Sequence, residues 1–81
     1  MTVEVRLFAT LARYLPPDSK AGAAVVELSD QATIADLIQR LGVPRDLECV
    51  VLLNGANVDT DARLRGGDVI DIFPPLAGGR P

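Results

Sequence analysis

Eighty-one residues bury too little surface to support two cores, so the chain is one domain whose single core every element must share. With 48% hydrophobic and 23% charged residues, it has a globular composition and no run that argues for disorder. Eight Lys and Arg against eleven Asp and Glu give a net charge of -3, the wrong sign for a phosphate backbone, while one cysteine and no histidine leave no material for an internal disulfide, a zinc site or a histidine-based relay.

From Val3 to Ala9 the residues alternate, with Val3, Val5 and Leu7 on one face and Glu4, Arg6 and Phe8 on the other, the period of a half-buried strand. Thr10 to Tyr14 fits a helical turn, and Pro16-Pro17-Asp18 stops regular structure, because proline lacks an amide donor and restricts its neighbour. Ala24 to Ser29 reads as a second strand with Val26 and Leu28 inward and Glu27 outward, joined to the first through a loose loop around Lys20 to Gly22. A helix is predicted from Ile34 to Leu41, where Ile34, Leu37, Ile38 and Leu41 form one apolar stripe at i, i+3, i+4, i+7. Thr33 and Asp36 suit a capping box, worth about 1 kcal/mol. Gly42 and Pro44 mark the stop.

Cys49 to Leu53 is the third strand, apolar on both faces, and Asn54-Gly55 is a tight-turn dipeptide leading to a short segment near Val58. The stretch from Asp59 to Leu64 reads as a connection that drops Leu64 into the core, and Gly66-Gly67-Asp68 as a further turn. Val69 to Phe73 is the last strand, with Ile70 and Ile72 opposite Val69, Asp71 and Phe73. One apolar helix stripe and several short strands predict an α+β fold, a mixed sheet of four to five strands packed on one main helix. That apolar run from Cys49 to Leu53 is too short to span a bilayer, and Met1-Thr2-Val3-Glu4 has no basic lead into an apolar stretch; the expectation is a cytoplasmic protein that uses neither membrane nor nucleic acid.

Phe8 and Phe73 break the parity rule. Both sit on faces otherwise carrying Glu4, Arg6 and Asp71, and an exposed Phe forgoes about 1.5–3 kcal/mol of burial, which marks a docking patch. The neighbours assigned to it on the third strand are Val51 and Leu53, or Cys49. After Phe73 comes Pro74-Pro75-Leu76-Ala77-Gly78-Gly79-Arg80-Pro81. Paired prolines cannot extend a ladder, so residues 1–73 are expected to form the domain and 74–81 a flexible extended tail. From Pro74 to Gly79 it can reach roughly 20 Å at about 3.3 Å per residue.

The string Gly67-Asp68-Val69-Ile70-Asp71-Ile72-Phe73-Pro74-Pro75-Leu76-Ala77-Gly78-Gly79, with Arg6-Leu7-Phe8-Ala9, Thr33 to Gly42 and Asn54-Gly55, resembles the MoaD/ThiS family of ubiquitin-like sulfur carriers, above all the molybdopterin synthase small subunits. The resemblance implies a β-grasp fold and a carrier that is itself no enzyme, with no cofactor and no metal. It implies that an ATP-dependent adenylating enzyme resembling ubiquitin-activating enzymes converts the Gly79 carboxylate to an acyl-adenylate, with Gly78 beside it, and that sulfur then replaces AMP to give a thiocarboxylate. It further implies a sulfur-accepting synthase subunit, MoaE-like or another, for which the expected docking residues are Phe8, Val51, Leu53, Phe73, Pro74, Pro75 and Leu76. Here Gly79 is followed by Arg80-Pro81, which ties its carboxyl in a peptide bond, so the two residues must first be removed, as by the JAMM-type proteases that trim similar pro-forms. Two alternatives stand beside the carrier: a ubiquitin-like modifier conjugated through Gly79 to lysines of target proteins, and a plain interaction module.

Overall fold

The N-terminal alternation becomes strand β1, Thr2–Leu7, in a computed structural model that describes residues 1–17, 19–44 and 47–74. Val3, Val5 and Leu7 are buried and Thr2, Glu4 and Arg6 exposed, as a period of two requires. Past Phe8 the backbone turns through Ala9 at φ 53°, a left-handed conformation that costs a residue with a Cβ roughly 1–2 kcal/mol. It then enters a 3-10 helix, Ala9–Tyr14, which sends Leu11 into the core. The Lys20 to Gly22 segment is tighter than the loose loop expected. Lys20 and Ala23 exchange two backbone hydrogen bonds of 3.0 Å across Ala21 and Gly22, at φ 54° and 77°, a pair of positive angles that matches the twist of a hairpin.

Strand β2, Ala23–Glu27, pairs antiparallel with β1. Helix α1 spans Ile34–Leu41, and both arms of its capping box form: the Asp36 amide donates to Thr33 Oγ1 at 3.3 Å, and the Thr33 amide donates to the Asp36 carboxylate at 3.0 Å. At the other end Gly42 adopts φ 84° and donates to the Gln39 carbonyl, while Val43 donates to Ile38, so two of the last turn's carbonyls are satisfied.

Strand β3 is Val50–Leu53, β4 is Ala56–Asn57 and β5 is Val69–Phe73. The five form one sheet in the order β2-β1-β5-β3-β4. The first and last strands lie side by side at its centre and run parallel; the remaining pairs are antiparallel. One sheet face meets α1. Val3, Val5, Leu7, Val51, Ile70 and Ile72 join Ile34 and Leu37 of the helix in a single buried cluster, with Leu64 dropped in from the connection, and among the described residues no helix covers the outer face. No helix among the described residues is long and apolar enough to cross a membrane.

The β3–β4 turn also pins the start of β5. Asn54 and Gly55 take φ 51° and 89°, the Asn54 side-chain carbonyl accepts from the Val69 amide at 2.9 Å, and its amide donates to Asp68 at 3.0 Å. Asn54→Ala removes both bonds and places a Cβ-bearing residue without Asn's tolerance at positive φ. The expected cost is about 2 kcal/mol, read by thermal unfolding as a Tm lower by roughly 8–16 °C. Asn54→Gly, which keeps the turn and loses only the side-chain bonds, should fall by about half as much.

Candidate functional site

Strand register assembles the outer face of the sheet in rows. Arg6 of β1 lies opposite Asp71 of β5, which in turn lies opposite Leu52 of β3. One step toward the C-terminal end of β5, Phe73 lies opposite Val50, and Phe8 follows directly on β1, its amide donating to the Ile72 carbonyl at 3.1 Å. The two phenylalanine rings stack with centroids 4.4 Å apart and planes 5° from parallel. Phe8 remains 36% exposed and Val50 39%. Each ring therefore shields one face of the other while their outer sides stay open, a preformed apolar platform beside the half-buried Pro74.

Beneath this platform, Arg6 Nε and Nη donate to the two carboxylate oxygens of Asp71, the second contact at 2.8 Å. The fork geometry fixes both side chains. Hydrogen bonding to Asp71, and then its charge, raise the Arg6 pKa further above its ordinary value, so the guanidinium keeps its proton throughout. A charged pair thus sits self-satisfied between Leu52 and the Phe8–Phe73 stack and presents little unpaired charge to an apolar partner.

The register corrects part of the expected patch. Val51 is 3% exposed and lies opposite Ile72, a core residue, and Leu53 lies opposite Ile70 and packs against the same cluster. Residues directly opposite in an antiparallel pair share a face, so Val51 and Leu53 point inward and their place on the outer face belongs to Val50 and Leu52. Cys49 likewise packs against the core rather than facing out. Its thiol donates to the Leu47 carbonyl at 3.4 Å, and burial pushes its pKa up, which disfavours the nucleophilic thiolate.

Phe8, Phe73 and Pro74 are thus brought together at one end of the sheet's central strands, β1 and β5. Pro75, Leu76, Gly78 and Gly79, with Ala77, Arg80 and Pro81, lie outside the described residues. The Arg6–Asp71 pair and the Val50–Leu52 row are the members of the face that sequence reading missed. Opposite charges at equivalent positions of two strands were the available signal, readable only once the strands were aligned in parallel.

The ThiS family model matches residues 5–79. Among solved structures the chain is similar to SAMP1 from Haloferax volcanii, at 25% identity and a TM-score of 0.71 over 98% of this chain and 100% of that one. It is similar to molybdopterin converting factor subunit 1 from Pyrococcus furiosus, at 26% identity and a TM-score of 0.69 over 93% and 98%. A third likeness is to the complex of subunits 1 and 2 of molybdopterin-converting factor from Helicobacter pylori, at 27% identity and a TM-score of 0.61 over 98% and 100%. No curated protein sequence matches significantly.

Proposed function

Because the chain belongs to the ThiS family and has the ubiquitin-like β-grasp of its solved relatives, we propose that it is a sulfur carrier whose Gly79 carboxyl, freed of Arg80-Pro81, is adenylated and converted to a thiocarboxylate. One observation carries this reading: the family match runs to Gly79 and leaves Arg80 and Pro81 outside it, so the matched unit ends on the diglycine. The chemistry is consistent. A carboxylate is a poor electrophile, and an ATP-dependent partner must supply both the leaving group and the stabilisation of the developing charge. Glycines without a Cβ thread a narrow active site that larger residues would block.

The Phe8–Phe73 platform is the docking surface in this proposal, placed at the root of the tail so that a partner gripping it receives Gly79 within roughly 20 Å. The likeness to subunit 1 within the Helicobacter complex favours a subunit-2-like synthase as the acceptor, and with it molybdopterin assembly. Likeness to SAMP1, a small archaeal modifier protein by name, favours the second reading, conjugation of Gly79 to lysines of other proteins. Intact mass of the chain recovered from its own cells separates the two. A form ending at Gly79 with one oxygen replaced by sulfur is expected for the carrier; foreign lysines bearing the tryptic segment 66–79 of this chain through Gly79, with no sulfur-bearing form, would overturn it in favour of the modifier.

A further inference from the structure

Any route through an activated Gly79 carboxyl exposes that carbon to amines, and this chain has few. Lys20 is its single lysine, and arginine stays protonated and does not compete. The other amine is the α-amine of Met1, and the fold occupies it. It donates to the Leu28 carbonyl at 2.7 Å from a partly buried position and lies 3.6 Å from the Asp30 carboxylate, while the Leu28 amide returns a bond of 2.8 Å to the Met1 carbonyl. Lys20 is the opposite case. Its backbone is held by the paired bonds to Ala23, and its side chain is exposed beside a shallow depression lined by Glu4, Ser19, Ala23 and Val25.

The topology also places Lys20 at the tail's end of the sheet. Gly22 accepts from the Leu7 amide, and Leu7 lies opposite Ile72, so the turn that begins at Lys20 is level with the last residues of β5. Lys20 bridges Ala23 on the edge of β2 away from β1, and β2 is separated from β5 by β1 alone, so Lys20 stands three strand spacings from β5, about 15 Å. A tail reaching roughly 20 Å spans that interval.

We infer that Lys20 is a modification site: the one amine of the folded chain that accepts the acyl group of an activated Gly79, from its own tail or from a second copy. The inference rests on the reading that Gly79 becomes activated. In the step, neutral Lys20 Nζ attacks the Gly79 carbonyl carbon and a C–N bond forms. The bond to the leaving group, AMP from an acyl-adenylate or a thiol from a thioester, breaks with its electron pair, and the amine proton passes to solvent.

The test installs the activation chemically, so that it does not depend on any adenylating partner. A chain ending at Gly79 as a C-terminal thioester is incubated at neutral pH, folded and in urea, and the products are mapped by mass spectrometry. Folded protein is expected to acylate Lys20 and spare Met1. A monomeric product one water lighter than the free acid identifies the chain's own tail, and a ladder that grows with protein concentration identifies a second copy. Lys20→Arg, on an exposed turn, should lose these products and leave only hydrolysis. In urea the preference should invert, because a free α-amine ordinarily loses its proton at lower pH than lysine and takes acyl groups first near neutrality. Acylation of Met1 in the folded chain, an undiminished yield from Lys20→Arg, or hydrolysis alone would overturn the inference. A chain that links through Lys20 but never takes up sulfur with ATP would instead overturn the carrier reading and leave this one standing.

Discussion

A chain ending at Gly79 should take up sulfur from an ATP-dependent adenylating partner, and the same chain ending at Pro81 should take up none until it is trimmed. The effect is all or nothing because it concerns an atom rather than an affinity. In the longer chain the Gly79 carbonyl carbon is bonded to the Arg80 nitrogen, and an amide offers no free oxygen to attack the α-phosphorus of ATP. No conformational change of the domain can substitute for hydrolysis of that bond. ATP–pyrophosphate exchange reads the first half of the prediction and intact mass the second. Extract of the native host should convert the long form to the short and restore exchange, and a zinc chelator should block the conversion if the protease is a metalloenzyme. Sulfur uptake by a chain that still retains Arg80 and Pro81 would refute the requirement for processing.

Much of the described fold can be read from residue order. The α1 boundaries follow from local chemistry, since Thr33 with Asp36 and Gly42 with Pro44 act within one turn of the ends they define. Strands β1 and β5 each alternate, so their buried faces are readable without knowing what they pair with. β3 has no such alternation. Cys49 to Leu53 are all apolar, parity alone gives two equivalent answers, and only the opposition of Val51 to Ile72 decides between them. The short strand near Val58 falls at Ala56–Asn57 because the two-residue turn at Asn54-Gly55 brings the chain back at once. Arg6 and Asp71 stand 65 positions apart, and their pairing is a product of the parallel β1–β5 register. Non-local order of that kind leaves no trace in a window of neighbouring residues.

That corrected face carries the second large effect. Phe73→Ala should weaken binding of the sulfur-accepting subunit roughly 10–100-fold, the consequence of losing about 1.5–3 kcal/mol of apolar contact at a well-placed anchor. Part of the loss comes through Phe8, whose ring is held open to the partner by its stack on Phe73 at 4.4 Å and would otherwise collapse onto the vacated surface. Val50→Asp should act in the same direction, because Val50 lies opposite Phe73 and is 39% exposed; burying an unpaired carboxylate under a partner is costly, whereas leaving it in water in the free protein is not. Val51→Ala separates docking from folding. Its side chain is 3% exposed, so the variant should lose about 2 kcal/mol of stability through a core cavity and yet bind with unchanged affinity at temperatures where it remains folded. Titration calorimetry on the three variants, each checked for its unfolding transition, reads both quantities. If Val51→Ala weakened association as much as Phe73→Ala, or if Val50→Asp left it unchanged, the partner would have to approach by another surface. With the outer face set aside, the partner would have to approach along an edge of the sheet, at β2 or at β4, the latter where Asn57 borders Leu52.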